Sequence, residues 1–385
     1  MTFNPALLDA DSSDLCLELS ETDLTRAWQR TTAFSSNGSR WNAYLNQLCL
    51  STVVNWLREE YSPEANVWLA ATNPSIWEVV NGAAVTLDTT RFVLVPTEAI
   101  DFSELRVPQE WVDIPGWAAD YYLGVQVDPD QGLVRIWGYT TLQLLKQKGS
   151  YEAHDRTYCL DEDDLIRDIS VLWVARQLCP EEPTRTHISP LPSIPLAQAE
   201  NLITRLGNPD VINPRLAVPF ELWGSLLEHG GWRQRLYQSR IGHPEQWSIL
   251  QWFQTGVSEA AKHLGWGQAL QPLAAAKGST TTPVFLSRQL TIAGQNYELR
   301  VIPRGNADER IWRFELTNAQ GNDPIPGGFK LRLLTEDLQA FEGNEDVAIN
   351  AVEHLFVDVV LAPGEGLVWE VEPMPDNCDR EILRF

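Results

Sequence analysis

Two short acidic segments contain residue types that could bind a metal ion. Residues 161–164 are four consecutive carboxylates (DEDD), and His154-Asp155 combines an imidazole with a carboxylate. Both are ligand types for divalent cations. Metal ligands, however, usually converge in space from different parts of a chain. Four acidic residues in the first turn of a predicted helix are better explained by their favourable interaction with the positive end of the helix dipole. Because no second histidine cluster supports His154, we predict no metal-ligating residue.

Nucleophilic and phosphate-binding motifs are equally weak. Residues 256–260 (GVSEA) are the nearest approach to a nucleophile elbow, but they lie in a predicted helix. His229-Gly230-Gly231 has the composition of an oxyanion-hole loop and is better explained as a helix C-cap. Residues 276–280 (AKGST) contain phosphate-binding residue types in the wrong order. The sequence predicts no catalytic residue, no cofactor-binding residue and no cofactor, although catalytic groups that converge only in the fold leave an enzyme open.

The element that organises the rest is a predicted hairpin within residues 111–177. Apolar and polar residues alternate on both sides of a turn, as in half-buried strands. Directly opposed residues on antiparallel strands lie on the same face of the sheet. The register must therefore place apolar residues opposite apolar residues. A four-residue loop at 129–132 satisfies this rule, with Val127 opposite Val134 and Val125 opposite Ile136.

The second face of this hairpin is the candidate interaction face. In the same register Gln126 lies opposite Arg135, Tyr122 opposite Tyr139, and Gly124 opposite Trp137. Tyrosine, tryptophan and arginine are enriched at binding hot spots. The alternative is that a helix covers this face and makes it core, which the usual burial of tryptophan favours. The candidate face comprises Tyr122, Gln126, Arg135, Trp137 and Tyr139.

Two helices are predicted after the hairpin. The first is short and spans residues 142–148. The second begins at Asp161, with Asp164 three residues on as an approximate capping box. It runs to residue 178 with a core-facing stripe of Leu165, Ile166, Ile169, Leu172 and Trp173.

The pattern of elements predicts a multidomain α+β protein. Residues 1–179 are expected to form an N-terminal α+β domain around a small curled antiparallel sheet. A Pro-rich linker follows at 180–195, and a central Trp-rich helical module at 196–270. After a second linker at 271–283, alternating segments separated by turns predict a C-terminal antiparallel β-sandwich at 284–385.

Composition restricts the compartment and the partners. The net charge of −23 among 385 residues would repel nucleic acid, so we expect no nucleic-acid partner. No apolar run reaches the length of a membrane span, and the N-terminus lacks a leader pattern. The five cysteines are scattered without a CxxC spacing, which is typical of a reducing cytoplasm. We expect a cytoplasmic protein without a membrane partner.

Four motifs are informative when taken together: residues 118–122 (AADYY), 135–139 (RIWGY), 155–158 (DRTY) and 363–370 (PGEGLVWE). They resemble those of an uncharacterised cyanobacterial family of acidic, Trp-rich cytoplasmic proteins of about this length. The resemblance extends over nearly the whole chain, and it implies a domain of unknown function with no assigned activity, cofactor or catalytic residue. Cys378 stands where this family would have an aromatic residue.

These observations favour a non-catalytic adaptor or regulator that acts through protein–protein interaction. Linked domains, an absence of chemical motifs and sixteen tryptophans all support this hypothesis. The alternative is an enzyme or small-molecule-binding protein, with a site in the cleft between the N-terminal domain and the helical module. The sequence identifies neither the partner nor the oligomeric state.

Overall fold

The computed structural model describes residues 14–69, 72–243, 247–270, 284–305, 309–320, 323–375 and 378–385. The chain divides into two compact units. Unit 1 contains the described residues up to 193, with 202–228 and 239–242; unit 2 contains 194–201, 229–238 and the described residues from 243 onward. Helices and antiparallel sheets occur together, so the predicted α+β class is confirmed. Within the described ranges, no helix is both long and apolar enough to cross a membrane.

The first part of unit 1 alternates strands with helices. Local signals start the helices: Ser20 and Asp23 form a capping box at α1 (Glu21–Arg30), and the Ser36 side chain accepts the N–H of Ser39 at α2 (Asn37–Glu60). In chain order the elements are β1 (Leu15–Glu18), α1 (Glu21–Arg30), α2 (Asn37–Glu60), β2 (Asn66–Val67), α3 (Asn73–Trp77), β3 (Ala83–Leu87), β4 (Thr90–Thr97), β5 (Glu104–Pro108), α4 (Gln109–Asp113), β6 (Tyr121–Asp128), β7 (Leu133–Thr141), α5 (Leu142–Lys148), β8 (Ser150–Glu152), β9 (Thr157–Asp161) and α6 (Ile169–Leu178).

A six-stranded sheet is the centre of unit 1. Its strand order is β1-β7-β6-β4-β3-β2, and the β4–β6 pair is parallel while the other pairs are antiparallel. Helix α2 packs against β3, β4 and β6. A second sheet has the order β5-β9-β8. The sheet around the hairpin is therefore mixed, whereas the sequence predicted an antiparallel one.

The β6–β7 hairpin confirms half of the predicted register. Val127 pairs with Val134, Val125 with Ile136 and Gln126 with Arg135 across a 129–132 loop. A β-bulge between Gly124 and Val125 then shifts the pairing of the residues before Val125 by one position on β7. The observed pairs there are Gly124 with Gly138, Leu123 with Tyr139, and Tyr122 with Thr140, so the predicted Gly124–Trp137 and Tyr122–Tyr139 pairs are wrong. The bulge inserts Trp137 as an extra residue, which is what a bulge does to a ladder.

The long helix predicted from Asp161 begins instead at Ile169. Asp161 does cap, but it caps a single 3₁₀ turn at Glu162–Asp164. Ile166 exchanges two backbone hydrogen bonds with Tyr139, at 2.9 and 3.0 Å, so this segment is extended and adds to the sheet. Asp168 then caps α6 by accepting the N–H of Ser170 at 2.9 Å. The short helix at 142–148 is confirmed as α5.

Helices of the predicted module contribute to both units. Trp223 lies in unit 1, whereas Trp247, Trp252 and Trp266 lie in the core of unit 2. The elements are α7 (Leu196–Leu206), a 3₁₀ turn (Pro214–Leu216), α8 (Phe220–Glu228), α9 (Gly230–Arg240), α10 (Ile249–Thr255) and α11 (Glu259–His263). The predicted linker at 271–283 lies outside the described residues.

Unit 2 contains two antiparallel sheets that share one hydrophobic core. Their strand orders are β10-β11-β12-β13-β16 and β15-β14-β17-β18. Leu299 and Phe314 of the first sheet and Leu333 and Trp369 of the second belong to the same core. The strands are β10 (Trp266–Leu270), β11 (Val284–Ile292), β12 (Gln295–Arg304), β13 (Ile311–Asn318), β14 (Lys330–Thr335), β15 (Glu345–Val347), β16 (His354–Val360), β17 (Gly366–Glu372) and β18 (Ile382–Arg384).

Candidate functional site

All five residues of the hairpin face are buried. Trp137 is 2% exposed, and the most exposed of the five, Gln126 and Arg135, reach only 7%. The Tyr122 hydroxyl donates to the carbonyl of Trp111 at 2.8 Å and accepts the N–H of Ala119 at 3.2 Å. In this structure the face is core, which is the alternative that the sequence left open.

The cover over Trp137 comes from residues distant in sequence. Phe102 stacks on the indole with ring centroids 5.1 Å apart, and the Arg167 guanidinium lies 6.0 Å from it. A Cβ on Gly124 would lie 2.5 Å from the indole ring atoms. The glycine therefore gives the indole its space, even though the bulge removes the direct pairing of the two residues.

Carboxylates in residues 154–155 and 161–164 form ion pairs with basic side chains or accept backbone N–H groups. Glu162 pairs with Arg167, Asp164 pairs with Lys148, and the Asp155 carboxylate lies 2.7 Å from Arg106. His154 is exposed. Across the described ranges, no group of three or more histidine, cysteine, aspartate or glutamate side chains could hold a metal ion.

His229-Gly230-Gly231 does not form the C-cap that the sequence predicted. Both glycines lie in the first turn of α9. A Cβ on Gly230 would lie 2.7 Å from the carbonyl of Arg380, and one on Gly231 would lie 3.2 Å from the backbone nitrogen of Ile382. Glycine is required because the helix start lies directly against the 380–382 backbone.

The His229 ring is buried and neutral. Nε2 donates to the carbonyl of Glu336 at 3.0 Å, Nδ1 accepts the N–H of Trp232, and the two rings stack 4.2 Å apart. Burial, and next the charge of Arg380, lower the pKa of His229 to about 3.

His229 should make unit 2 sensitive to mild acid. Below the pKa of about 6.5 of an unperturbed histidine, His229 binds a proton in the unfolded chain. In the folded chain it stays neutral until the pH approaches about 3. Stability is then lost as the pH falls from about 6.5 toward 3, by up to about 1.4 kcal/mol per pH unit. We expect urea unfolding between pH 6.5 and pH 5 to show this slope, and His229→Gln to reduce it. The matched variant of an exposed histidine, His154→Gln, should keep it; equal slopes in both variants would contradict the prediction.

A polar network in unit 1 combines residue types seen in acid–base catalysis. Asp113 Oδ2 accepts the Tyr158 hydroxyl and Gln109 Nε2, each at 2.9 Å, while Lys146 Nζ contacts Tyr158 at 2.8 Å and pairs with Asp113. Burial, followed by the charge of Asp113, raises the pKa of Tyr158. The phenol is therefore protonated at neutral pH and cannot serve as a base there. These groups satisfy one another, and the network connects α4, α5 and β9.

The exposed face of α6 is the strongest candidate for a binding surface. Val171, Val174 and Leu178 follow one another at helical spacing and are 44%, 51% and 75% exposed. The opposite side of the helix is core, with Ile169 and Leu172 buried. A helix that is apolar on both sides usually has both sides covered. We call Val171, Val174 and Leu178 the α6 stripe.

An exposed aromatic side chain continues this surface. Tyr61, at the end of α2, stacks on Trp173 of α6 with ring centroids 3.8 Å apart and is 43% exposed. Trp173 is only half-buried. The sequence showed the spacing of the α6 stripe. It was missed because the predicted helix began at Asp161 and its single apolar stripe was assigned to the core.

A second group of exposed aromatic side chains lies near the end of α1 and the start of α2. Trp28 and Trp41 are both about 40% exposed and pack with Tyr44. The Arg40 guanidinium lies 3.7 Å from the Trp28 ring, and the Trp41 indole N–H donates to Glu98 at 2.8 Å. These rings already have polar and cationic neighbours, so they offer a partner less free surface than α6.

Comparison with known proteins identified one family. A family model described as "Protein of unknown function (DUF1822)" matches residues 17–384. No curated protein and no solved structure matched the chain.

Proposed function

The chain belongs to the DUF1822 family, and we propose that it is a non-catalytic adaptor or regulator that binds a protein partner through the α6 stripe. One observation carries this proposal: three apolar side chains on one helix face are exposed while the opposite face is core. Fully burying a valine or leucine side chain is worth roughly 1.5–3 kcal/mol. Covering the stripe would therefore contribute a useful part of a binding free energy.

The surroundings of the stripe favour a basic, amphipathic partner segment. Glu60 lies beside Tyr61 and acts on its hydroxyl electrostatically. Glu60 and, after the end of α6, Glu181 are exposed. Apolar side chains on a partner helix would cover the stripe, and lysine or arginine beside them would meet these carboxylates. The net charge of −23 supports the same preference and disfavours a nucleic acid.

The resemblance of the four motifs supports a cyanobacterial source, and the scattered cysteines support a cytoplasmic setting. The alternative to an adaptor is an enzyme or small-molecule-binding protein. A cavity of about 220 Å³ in unit 1, lined by Phe34, Leu50, Val67 and Trp77 among other residues, favours small-molecule binding over catalysis within this alternative.

The adaptor proposal is tested by site-specific cross-linking on α6. A photo-reactive residue at Leu178 should cross-link a protein in extracts of the native host. Val174→Asp/Leu178→Asp should abolish the co-purification of that protein without lowering the melting temperature, because both side chains are exposed. The matched control, Ile100→Asp/Ile212→Asp, changes two residues of the same unit that are more than 80% exposed and should keep the partner. A folded α6 variant that retains every partner would overturn the proposal.

A further inference from the structure

The segment that follows α6 is restricted to an extended conformation by its prolines. Residues 183–193 form neither a helix nor a strand. Proline fixes its own φ at about −65° and disfavours the helical region for the residue before it. Ser189-Pro190 and Leu191-Pro192 are consecutive pairs of this kind, so both residues of each pair are restricted. The conformation that fits these restrictions is polyproline II, a left-handed helix with three residues per turn and no internal hydrogen bonds.

Burial along this segment follows the same three-residue repeat. Ile188 and Leu191 are partly buried, whereas the two residues after each of them are exposed. Leu191 lies against Gly224 of α8, where an added Cβ would come within 3.0 Å of its side chain. Because positions three apart share one side of a polyproline II helix, this side faces unit 1 and the other residues face outward. We call these outward residues the proline ridge: Ser189, Pro190, Pro192 and Ser193.

The proline ridge is attached to unit 1 near both of its ends. Before the ridge, Arg185 Nε and Nη2 donate to the two carboxylate oxygens of Asp120, at 2.8 and 2.9 Å. Within the ridge, the Ser225 hydroxyl lies 2.7 Å from the carbonyl oxygens of both Pro192 and Glu221 and shares its hydrogen between them. The ridge is therefore ordered before any partner arrives, which lowers the entropic cost of binding.

The chemistry of the ridge disfavours a partner that adds a β-strand. Pro190 and Pro192 are two residues apart, so in a strand their backbone nitrogens would lie along the same edge. Proline has no N–H group, and that edge would lack two successive donors of a ladder. The ridge offers instead two exposed pyrrolidine rings, which lie about 6 Å apart along the axis of a polyproline II helix. Grooves lined by aromatic side chains bind such rings.

We propose that the proline ridge binds a protein domain whose aromatic-lined groove accepts a polyproline II helix. Each of its two residue pairs, Ser189-Pro190 and Pro192-Ser193, places one pyrrolidine ring in the groove. The serine side chains are small, so they let the groove walls approach the backbone. Leu191 faces unit 1 and takes no part in the contact. The ridge shares no residue with the α6 stripe, so the two proposals succeed or fail separately.

Titration of the full chain against isolated polyproline-binding domains tests the proposal. Isotope-labelled SH3 and WW domains serve as probes, because both bind proline-rich segments in aromatic-lined grooves. We expect the full chain at submillimolar concentration to shift or broaden the NMR signals of groove residues saturably in at least one probe. Pro190→Ala/Pro192→Ala should weaken this binding about tenfold or more, as expected for the loss of central contacts. Val174→Asp/Leu178→Asp should leave it unchanged, which distinguishes the ridge from the α6 stripe.

Pro180→Ala/Pro183→Ala is the matched control for the ridge variant. Both prolines are exposed and lie in the same segment outside the ridge, so this variant should bind the probe like the wild type. Ser189→Glu/Ser193→Glu keeps the ridge prolines but adds long charged side chains beside them, and it should also lose binding. The melting temperature checks folding, and the serine variant decides if the proline variant is unfolded. Failure of both probes to bind, equal weakening by the control, or shifts confined to residues outside the groove would overturn the proposal.

Discussion

Replacing Trp137 by alanine is expected to lower the free energy of unfolding of unit 1 by about 3–5 kcal/mol, the usual cost of removing a buried aromatic side chain. The indole is 2% exposed and lies between Phe102 and the Gly124 backbone. Alanine would leave a cavity that the hairpin cannot close, because β6 and β7 are fixed by sheet neighbours on both sides. Urea unfolding followed by circular dichroism measures the change.

The matched control is Trp28→Ala. Trp28 is 42% exposed, so the same substitution there should cost much less. A Trp137→Ala variant that melts like the wild type but loses a bound protein would instead identify the hairpin face as a contact surface. A stable variant that keeps every partner would contradict both interpretations of this face.

The hairpin shows how far local pattern determines the fold. Alternation and the four-residue loop predicted the pairs next to the turn, because side-chain faces and loop length fix the register there. The alternation did not indicate the bulge at Gly124, because apolar and polar residues alternate through Trp137 without a break. The start of α6 was missed for a similar reason. Ile166 follows helical periodicity, but it pairs with Tyr139 in the sheet.

The candidate sites depended still more on the tertiary fold. Residue types enriched at interfaces are also those that fill cores, so composition alone could not separate Trp137 from Tyr61. The cavity was also hidden from sequence, since Arg30, Gln47 and Asn73 lie on three different elements. The spacing of Val171, Val174 and Leu178 was visible, but only the fold shows which face of α6 is covered.

Buried ion pairs between distant segments are a second feature that the sequence did not indicate. Arg240 Nε lies 2.8 Å from Glu78 Oε1, and both side chains are almost completely buried. Arg240 Nη1 also donates to the carbonyl of Leu206 at 2.9 Å, while Glu78 accepts the N–H of Ser35. The pair thus joins the α3 region of unit 1 to residues more than 160 positions later in the chain.

Removing one partner of this pair should be strongly destabilising. Arg240→Met leaves Glu78 buried without its countercharge, and we expect a loss of about 3–5 kcal/mol in the free energy of unfolding of unit 1. Glu78→Met should cost a similar amount. Glu78→Met/Arg240→Met should be more stable than either single variant, because apolar side chains of similar length remove both buried charges together.

The double-mutant cycle is measured by urea unfolding at one pH and one salt concentration. Arg26→Met is the control, since Arg26 forms only an exposed ion pair with Asp23 at 3.6 Å and should change stability by less than about 1 kcal/mol. If the two single-variant losses simply add in the double variant, the two side chains act independently. In that case the stability would come from the separate hydrogen bonds of Glu78 with Ser35 and of Arg240 with Leu206, and from packing. The attraction between the two charges would then add nothing measurable to the free energy of unfolding.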